Sequence, residues 1–306
     1  MRGLEVVQPG LLTTVQDLGR SGLAHLGVAP GGAADRDSLH LANLAVGNPP
    51  GAAALECTLV GPELAALADL TVAVAGADLG ARVEEEPLPT LTPRRLPRGG
   101  RVRLPGGGPG CRAYLAVAGG VLVRPVLGSR STDLPGGFGG LEGRPLRRGD
   151  RLAVGEEAGT PPRISAAAAV ALGRGELRCV RGPHAERFTA ADWERLCGEA
   201  YRVSPQSDRR GVRLEGAAIR SGAGEIPSAG MAVGAVQVPP AGLPLVLGVD
   251  RPPTGGYPVA AVVIRADLPA LAQLRPGDRV RFTLVEAAQA RELFRRREAA
   301  LAALSG

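Results

Sequence analysis

The sequence predicts a mainly β protein with a few helices. Two features of its 306 residues predict this class: 45 glycines and 27 prolines spread along the whole chain, and short apolar runs between them. Glycine and proline supply the turns of β-rich folds and interrupt long helices. Apolar residues make up 44% and charged residues 22% of the chain. This composition is close to the average for globular proteins and argues against disorder.

The apolar runs have the length of strands and are bounded by turn residues. Most runs begin or end at Gly, Pro or Asp, which is typical of strands in β-rich folds. The predicted strand regions are 4–10, 69–79, 101–106, 111–120, 150–155, 176–182, 234–250, 257–268 and 278–286.

Three segments carry helix signals. Asp35 can cap a helix that continues to Val46, because an aspartate at the N-cap accepts hydrogen bonds from the free amides of the first turn. Thr189 can cap a second helix in the same way. The segment 286–304 has the pattern of an amphipathic helix.

A short repeated motif near the end of each half suggests that the chain has two halves. The same tripeptide, Gly-Asp-Arg, precedes a late strand at 149–151 and again at 277–279. A Pro- and Ala-rich stretch lies between the halves and is typical of a linker. The sequence therefore predicts subdomains over 1–157 and 173–285, a linker over 158–172 and a C-terminal helical segment over 286–306.

Composition excludes several chemistries. All 36 basic residues are arginine, so this chain has no lysine for a Walker-type phosphate site, for a Schiff base or for covalent attachment of biotin. The four cysteines form no C-x-x-C pair and the three histidines lack ligand spacing, so we expect no metal site.

The net charge of +6 does not by itself indicate nucleic-acid binding. The arginines are scattered, and the chain has few aromatic residues that could stack on bases. No uncharged apolar run reaches the ~18 residues of a membrane helix. The first thirty residues include Glu5 and Asp17 and have no continuous apolar core, so we expect no secretory signal and a cytoplasmic protein.

Polar side chains in Gly- and Pro-rich loops are the candidate site residues, because such loops present backbone amides and short side chains to ligands. In the first half these candidates are Gln16, Asp17, Ser129, Arg130 and Asp133. Two glycine pairs could cradle an anion or a nucleotide, Gly31 with Gly32 before the first helix and Gly136 with Gly137 after Asp133. In the second half the candidates are Asp208, Arg209, Glu225, Gln237 and Thr254.

Taken together and in order, the loop motifs resemble the biotin-dependent carboxyltransferase family over about residues 5–285. The motifs that carry the resemblance include PGLLTTVQDLGR, VLGSRSTDLPGGFGG, EIPSAG and TGGYPVAAVV. The family includes allophanate hydrolase subunit 2, the KipA proteins and the C subunit of bacterial 5-oxoprolinase. The chain departs from the family pattern at Arg251-Pro252-Pro253, where Gln and Thr are frequent.

The resemblance implies two cyclophilin-like β-barrel subdomains that work with a KipI-like B subunit. The first function that the resemblance implies is that of the C subunit of an ATP-dependent 5-oxoprolinase. Such an enzyme opens 5-oxoproline to glutamate, and its third component is the 5-oxoprolinase A subunit. One alternative is a biotin-dependent carboxyltransferase subunit for urea or a related amide. Another is a KipA-type regulatory module that binds its partner without turnover. ATP would be bound by the complex, and biotin, where used, by a separate carrier chain.

These substrates share a carbonyl group beside an N–H donor, so a site for them needs an acceptor for the N–H and a donor for the oxygen. On this reasoning Arg130 or Arg209 binds a substrate carboxylate or the developing oxyanion. Asp17 or Asp208 accepts the N–H. The expected further substrate contacts are Gln16, Ser129, Asp133, Glu225, Gln237 and Thr254.

Overall fold

Short strands separated by glycine and proline build two units in the computed structural model of the chain. The structure describes residues 2–157, 164, 176–220 and 224–304. The first unit comprises Met1–Ser21, Gly31–Val170 and Leu304–Gly306, and the second comprises Gly22–Pro30 and Ala171–Ala303. The predicted linker over 158–172 lies outside the described residues apart from Ile164, so the domain boundaries stay a prediction.

The first unit consists of two sheets around one apolar core. One sheet has the strand order β11-β12-β1-β4-β9-β6-β7 and the other the order β2-β3-β10-β5-β8. Its described elements are β1 (Gly3–Gln8), β2 (Leu12–Gln16), α1 (Arg36–Ala45), β3 (Ala54–Thr58), β4 (Glu63–Ala66), β5 (Leu70–Gly76), β6 (Arg82–Val83), β7 (Glu86–Pro87), β8 (Arg94–Leu96), β9 (Arg101–Arg103), β10 (Arg112–Val117), β11 (Val121–Leu122) and β12 (Arg151–Val154). Both sheets contribute to the core, for example through Leu4 of β1 and Leu115 of β10.

The second unit closes into a barrel. Its strands follow the order β13-β20-β17-β18-β15-β14-β21, and β21 pairs in parallel with β13 to complete the ring. Tyr201 and Phe282 lie in its core with ring centroids 6.1 Å apart. The described elements are β13 (Glu176–Arg181), α2 (Ala190–Gly198), β14 (Tyr201–Val203), β15 (Gly211–Glu215), β16 (Ala229–Gly230), β17 (Ala235–Gln237), β18 (Leu245–Leu247), β19 (Thr254–Gly255), β20 (Val259–Val263), α3 (Leu268–Ala272), β21 (Arg279–Leu284) and α4 (Ala287–Ala302).

The predicted class, mainly β with a few helices, is confirmed, and the barrel fits the expected cyclophilin-like fold. The two predicted caps are present: the Asp35 carboxylate accepts from the Ser38 amide at 3.0 Å, and Thr189 forms a capping box with Asp192. The C-terminal helix α4 lies within the predicted segment and packs on the second unit, where the Arg265 guanidinium stacks 4.4 Å from the Phe294 ring centroid.

The repeated Gly-Asp-Arg motif forms the same kind of turn at both positions. Asp150 accepts a hydrogen bond from the Arg147 amide at 2.7 Å, and Asp278 accepts one from the Arg275 amide at 2.8 Å. Each carboxylate thus closes the turn that leads into β12 or β21. Asp150 also binds Arg144 through two hydrogen bonds, and this guanidinium holds the pKa of the Asp150 carboxyl below its usual range.

No helix in the described part of the chain is long and apolar enough to cross a membrane. Among the same residues, no group of three or more His, Cys, Asp and Glu side chains is placed to hold a metal ion.

Candidate functional site

A carboxylate organises the loops at the end of β2 in the first unit. Asp17 Oδ1 accepts hydrogen bonds from the Gly19 amide at 2.8 Å, from Ser129 Oγ at 2.6 Å and from Ser131 Oγ at 2.5 Å. Asp17 Oδ2 accepts one from the Arg130 amide at 2.6 Å. We call this group, Asp17, Gly19, Ser129, Arg130 and Ser131, the Asp17 cluster. Because four protein donors surround the carboxylate, it fixes the loop over 129–131 against the end of β2.

The Arg130 side chain is positioned by this loop. Its Nε donates to the Val123 carbonyl at 3.1 Å, and the side chain is half-buried. This bond sets the direction of the guanidinium and leaves its terminal nitrogens as donors for a planar anion or a carbonyl oxygen.

A buried arginine supports the glycine-rich loop that follows. Arg20 Nη2 donates to the Ser131 carbonyl at 2.6 Å, its Nη1 lies 3.9 Å from Asp133 Oδ2, and its guanidinium stacks 5.0 Å from the Phe138 ring centroid. Asp133 Oδ1 in turn accepts from the Gly136 amide at 2.9 Å. Asp133 and Gly136 therefore belong to the framework that shapes the loop.

Two glycines of this loop differ in what surrounds them. Gly140 has φ +53°, and a Cβ there would lie 1.9 Å from Thr132 Oγ1, so only glycine fits. Gly137 has φ +67°, but a Cβ there would meet open space. The backbone at Gly137 is therefore accessible from solvent, as a loop that approaches a ligand requires.

The loop before α1 is held tightly. Gly31 and Gly32 both have positive φ, and a Cβ on Gly32 would lie 2.7 Å from the Gly19 nitrogen. The Asp35 carboxylate occupies the N-terminus of α1, where it accepts from both the amide and the hydroxyl of Ser38. This arrangement does not fit a phosphate at the helix N-terminus, because the phosphate would meet a carboxylate of the same charge.

A buried polar network lies behind this loop. The Tyr114 hydroxyl donates to Glu56 Oε2 at 2.7 Å and accepts from the Asp35 amide at 2.8 Å, while the Ala34 amide donates to the same Glu56 oxygen at 2.9 Å. Burial and the adjacent Glu56 charge raise the pKa of Tyr114 well above its usual value, so the phenol stays protonated as a donor.

Gln16 is fully buried beside the Asp17 cluster. Its Nε2 donates to Thr14 Oγ1 at 3.0 Å and to the Thr132 carbonyl at 3.2 Å. Its Oε1 has no hydrogen-bond partner among the described residues. Gln16 therefore links β2 to the loop after Ser131 from inside the unit.

In the second unit, Arg209 is part of a buried ion pair. Its Nε lies 2.7 Å from Asp250 Oδ2 and its Nη2 3.0 Å from Asp250 Oδ1, and the two side chains are 3% and 2% exposed. The exposed Asp208 accepts from the Arg210 and Gly211 amides through one oxygen, at 2.7 and 3.2 Å. The structure thus places Arg209 in a fork-to-fork pair and Asp208 in a turn.

Around Met231, three further residues converge. Gln237 Nε2 lies 3.3 Å from Met231 Sδ, Arg251 Nε donates to the Met231 carbonyl at 2.8 Å, and a Cβ on Gly255 would lie 2.7 Å from Gln237 Nε2. We call these four residues, Met231, Gln237, Arg251 and Gly255, the Arg251 cluster.

The exposed candidates Glu225 and Thr254 lie along the same edge of the second unit. Thr254 belongs to β19, which pairs with β16, and the Ile226 amide donates to the Gly256 carbonyl at 2.9 Å. The strand pairing therefore brings the segments of Glu225 and Thr254 beside the Arg251 cluster.

The structure groups the predicted residues into two sets, one in each unit. The sequence reasoning did not select Ser131, Arg20 or Arg251 as site residues. Ser131 and Arg20 both lie in the loop motifs that carry the family resemblance, but their pairing has no local signal, because their partners lie more than a hundred residues away in the chain. Arg251 had a signal in its departure from the family pattern.

Comparison with known proteins identifies the family. The family model of the carboxyltransferase domain, subdomains A and B, matches residues 26–284. The C subunit of 5-oxoprolinase from Escherichia coli (strain K12) is 39% identical over 293 residues, which cover 94% of this chain and 94% of the relative.

Two solved structures are also similar. TTHA0988 is 42% identical with a TM-score of 0.82, over 92% of this chain and 56% of that chain. The urea carboxylase of Kluyveromyces lactis is 30% identical with a TM-score of 0.90, over 99% of this chain and 29% of that chain. This chain therefore spans only part of both solved proteins. The family match and the two-unit fold agree, and the chain belongs to the carboxyltransferase domain family that contains subdomains A and B.

Proposed function

We propose that this chain is the C subunit of a cytoplasmic, ATP-dependent 5-oxoprolinase. In this proposal it acts with two partners, a KipI-like B subunit plus the 5-oxoprolinase A subunit, to convert 5-oxoproline, ATP and water to glutamate, ADP and phosphate. The observation that carries the proposal is the end-to-end similarity to the E. coli 5-oxoprolinase C subunit, in which 94% of both chains is aligned. The urea carboxylase match, in contrast, uses 29% of its chain.

The first unit offers groups that suit a lactam. The Arg130 guanidinium, fixed through its Nε, can donate to the lactam oxygen as negative charge develops there. The Asp17 carboxylate keeps Ser129 and the Arg130 backbone in place and so preserves that geometry. In this scheme the role of Asp17 is to position Arg130.

In this proposal ATP is bound by the assembled complex. The glycine loop before α1 is capped by Asp35, and the chain has no lysine for a phosphate loop. These two features argue against a Walker-type phosphate site at this loop and favour ATP binding through a partner chain. Because the chain has no lysine, a biotin group, where one takes part, would be attached to a separate carrier.

The test measures glutamate release from 5-oxoproline and ATP by this chain mixed with its B and A partners, with each component omitted in turn. We expect turnover only with all three chains and without added biotin or bicarbonate. Arg130→Ala should lower kcat/KM at least about tenfold, as expected when a donor to developing charge is lost. Arg124→Ala, which removes an exposed arginine from the same segment, is the matched control and should leave the rate unchanged.

A well-folded complex that releases no glutamate would reject this function. The second candidate is a carboxyltransferase subunit for urea or a related amide, favoured by the TM-score of 0.90 with the K. lactis urea carboxylase. It predicts carboxylation of urea that depends on bicarbonate and a biotinylated carrier. A third outcome, tight binding to the B-type partner with no turnover of either substrate, would indicate the KipA-type regulatory module.

A further inference from the structure

The outer face of the barrel carries four arginines that have no acidic partner among the described residues. They lie on three neighbouring strands: Arg213 on β15, Arg202 on β14, and Arg279 and Arg281 on β21. All four are exposed, and within the described part of the chain none of their guanidinium groups forms a hydrogen bond or an ion pair. Side chains that alternate with them, such as Tyr201, lie in the barrel core, so the arginines share the outer face.

The strand arginines of the first unit behave differently. Five of those at the surface pair with a carboxylate: Arg94 with Glu86, Arg95 with Asp69, Arg101 with Glu63, Arg103 with Glu85 and Arg151 with Glu5. In that unit the chain places an acidic side chain beside each of these arginines. The outer face of the barrel departs from that pattern.

Two of the barrel arginines face each other directly. In the antiparallel pairing of β14 with β21, Arg202 lies opposite Arg279. Residues in this relation have Cβ atoms about 4.5–5.5 Å apart on the same face of the sheet, and like charges there destabilise the pairing. A carboxylate bound between the two guanidinium groups would remove that repulsion.

The acidic side chains nearby do not supply this carboxylate. Glu215 lies opposite Arg202 on the β15 side, yet the two side chains form no ion pair. The Arg202 guanidinium lies instead against the turn before β21, where a Cβ at Gly277 would be 3.7 Å from Nη2 and 3.9 Å from Nε. Asp278 in that turn accepts from the Arg275 amide. Arg202 therefore directs its charge towards β21, where the next arginine stands.

The distribution of charge on this face fits a polypeptide better than a polyanion. Glu215 borders the arginines on β15, and Glu176 borders them on β13, opposite Arg281. A nucleic acid or an anionic membrane presents closely spaced phosphates and would meet these glutamates with repulsion. A protein segment can place its carboxylates opposite the arginines alone.

We propose that this face, Arg202, Arg213, Arg279 and Arg281, docks an acidic segment of a partner subunit, with one carboxylate bound between Arg202 and Arg279. The choice of partner rests on the proposed function, in which the chain is one subunit of a complex. Complementary charges of this kind speed association and select the correct partner. The Arg202–Arg279 pair is then unfavourable in the isolated chain and favourable in the complex.

The test uses Arg279→Glu, which places a carboxylate of the chain itself opposite Arg202. We expect the isolated variant to unfold at the same urea concentration as the unchanged chain or a higher one, because an opposite-charge pair replaces a like-charge pair. Its Kd for the B and A partner subunits, measured by biolayer interferometry at about 0.05 M salt, should rise at least about tenfold for the subunit that docks here. Arg291→Glu makes the same change of charge at an exposed position of α4 and should leave the Kd within about twofold.

The salt dependence of the unchanged chain is a second readout that needs no variant. Raising the salt to about 0.5 M should weaken its binding at least about tenfold. Binding that does not depend on salt overturns the proposal, and so does an equal Kd for Arg279→Glu and Arg291→Glu. An isolated Arg279→Glu chain that is less stable than the unchanged one contradicts the repulsion argument. Arg279-dependent binding to single-stranded RNA or anionic vesicles, in place of either subunit, overturns the choice of a protein partner.

Glutamate release separates this proposal from the proposed function. A complex that assembles through Arg279 but releases no glutamate from 5-oxoproline rejects the function and retains the docking face. A complex that turns over 5-oxoproline, while Arg279→Glu binds as tightly as the unchanged chain, does the reverse. Failure of the chain to bind either partner subunit rejects both.

Discussion

Replacing Asp17 by Asn tests whether this carboxylate is the organising centre of its cluster. The two side chains have the same shape, but asparagine has one acceptor oxygen where aspartate has two. In the structure, one Asp17 oxygen accepts from the Gly19 amide and the other from the Arg130 amide. A backbone N–H cannot accept a hydrogen bond. Whichever way the Asn amide turns, one of these two donors faces an NH₂ group.

The expected cost follows from that one unmatched donor. A donor left without its acceptor costs about 1–3 kcal/mol, and because these bonds are only partly buried we expect about 2 kcal/mol. The serine hydroxyls of the cluster add little to this figure, because a hydroxyl can rotate to accept from the new NH₂ group.

Asp208→Asn is the matched control. Asp208 also accepts from two backbone amides, those of Arg210 and Gly211, but through the same oxygen. One asparagine oxygen can therefore satisfy both, and we expect a change within about 0.5 kcal/mol.

The assay is urea unfolding followed by far-ultraviolet circular dichroism. Fluorescence of Trp193, the one tryptophan of the chain, reports the second unit separately. Asp17→Asn should lower the free energy of unfolding of the first unit and leave the Trp193 transition in place. If Asp17→Asn and Asp208→Asn change the free energy equally, the reasoning about the two oxygens is wrong.

Three further predictions concern the framework. Asp250→Ala should destabilise the second unit by about 3–5 kcal/mol in urea unfolding, because it removes the carboxylate that pairs with the buried Arg209 guanidinium, and Arg209→Met in the same chain should recover most of the loss. Gly140→Ala should cost more than the ~1 kcal/mol expected for Gly137→Ala in the same assay, since both have positive φ but only Gly140 meets a side-chain oxygen. Equal losses would contradict the steric argument. The lowered pKa of Asp150 means that its stabilising contribution is present above its ordinary pKa and is lost as pH falls through the lowered value; Asp150→Asn should therefore flatten the acid side of a plot of Tm against pH.

Sequence patterns predicted part of the local structure: the two helix caps were found, but the predicted strand regions omit, among others, β2, β3, β4, β14 and β15. Asp35 and Thr189 were recognisable as caps because the groups they bind lie within three residues along the chain. The run 234–250 was less accurate, since the structure divides it into β17 and β18 joined by a turn at 239–242. The turn is formed by Pro239, Pro240, Ala241 and Gly242, so proline and glycine mark the break that the apolar pattern alone does not show.

The candidate site was harder to predict, because its contacts join distant parts of the chain. The loop over 127–140 was recognisable by its glycines, but Asp17 reaches Ser129 across 112 positions, and no local pattern indicates that pairing. Arg209 was selected as a cation available to substrate, whereas the structure pairs it with Asp250, 41 positions away. Whether a loop arginine is paired or available depends on tertiary packing, which the sequence does not show directly.

The way the barrel closes has a consequence for how the second unit is made. Strand β13 begins at Glu176 and completes the ring with β21, which begins at Arg279. During translation β13 is synthesised first, and its parallel partner β21 leaves the ribosome only after about a hundred further residues. Contacts of such separation in sequence form slowly. During that interval, an exposed strand edge can pair with another chain. Nascent chains that stop before β21 should therefore aggregate, and folding of this unit should be completed only late in synthesis.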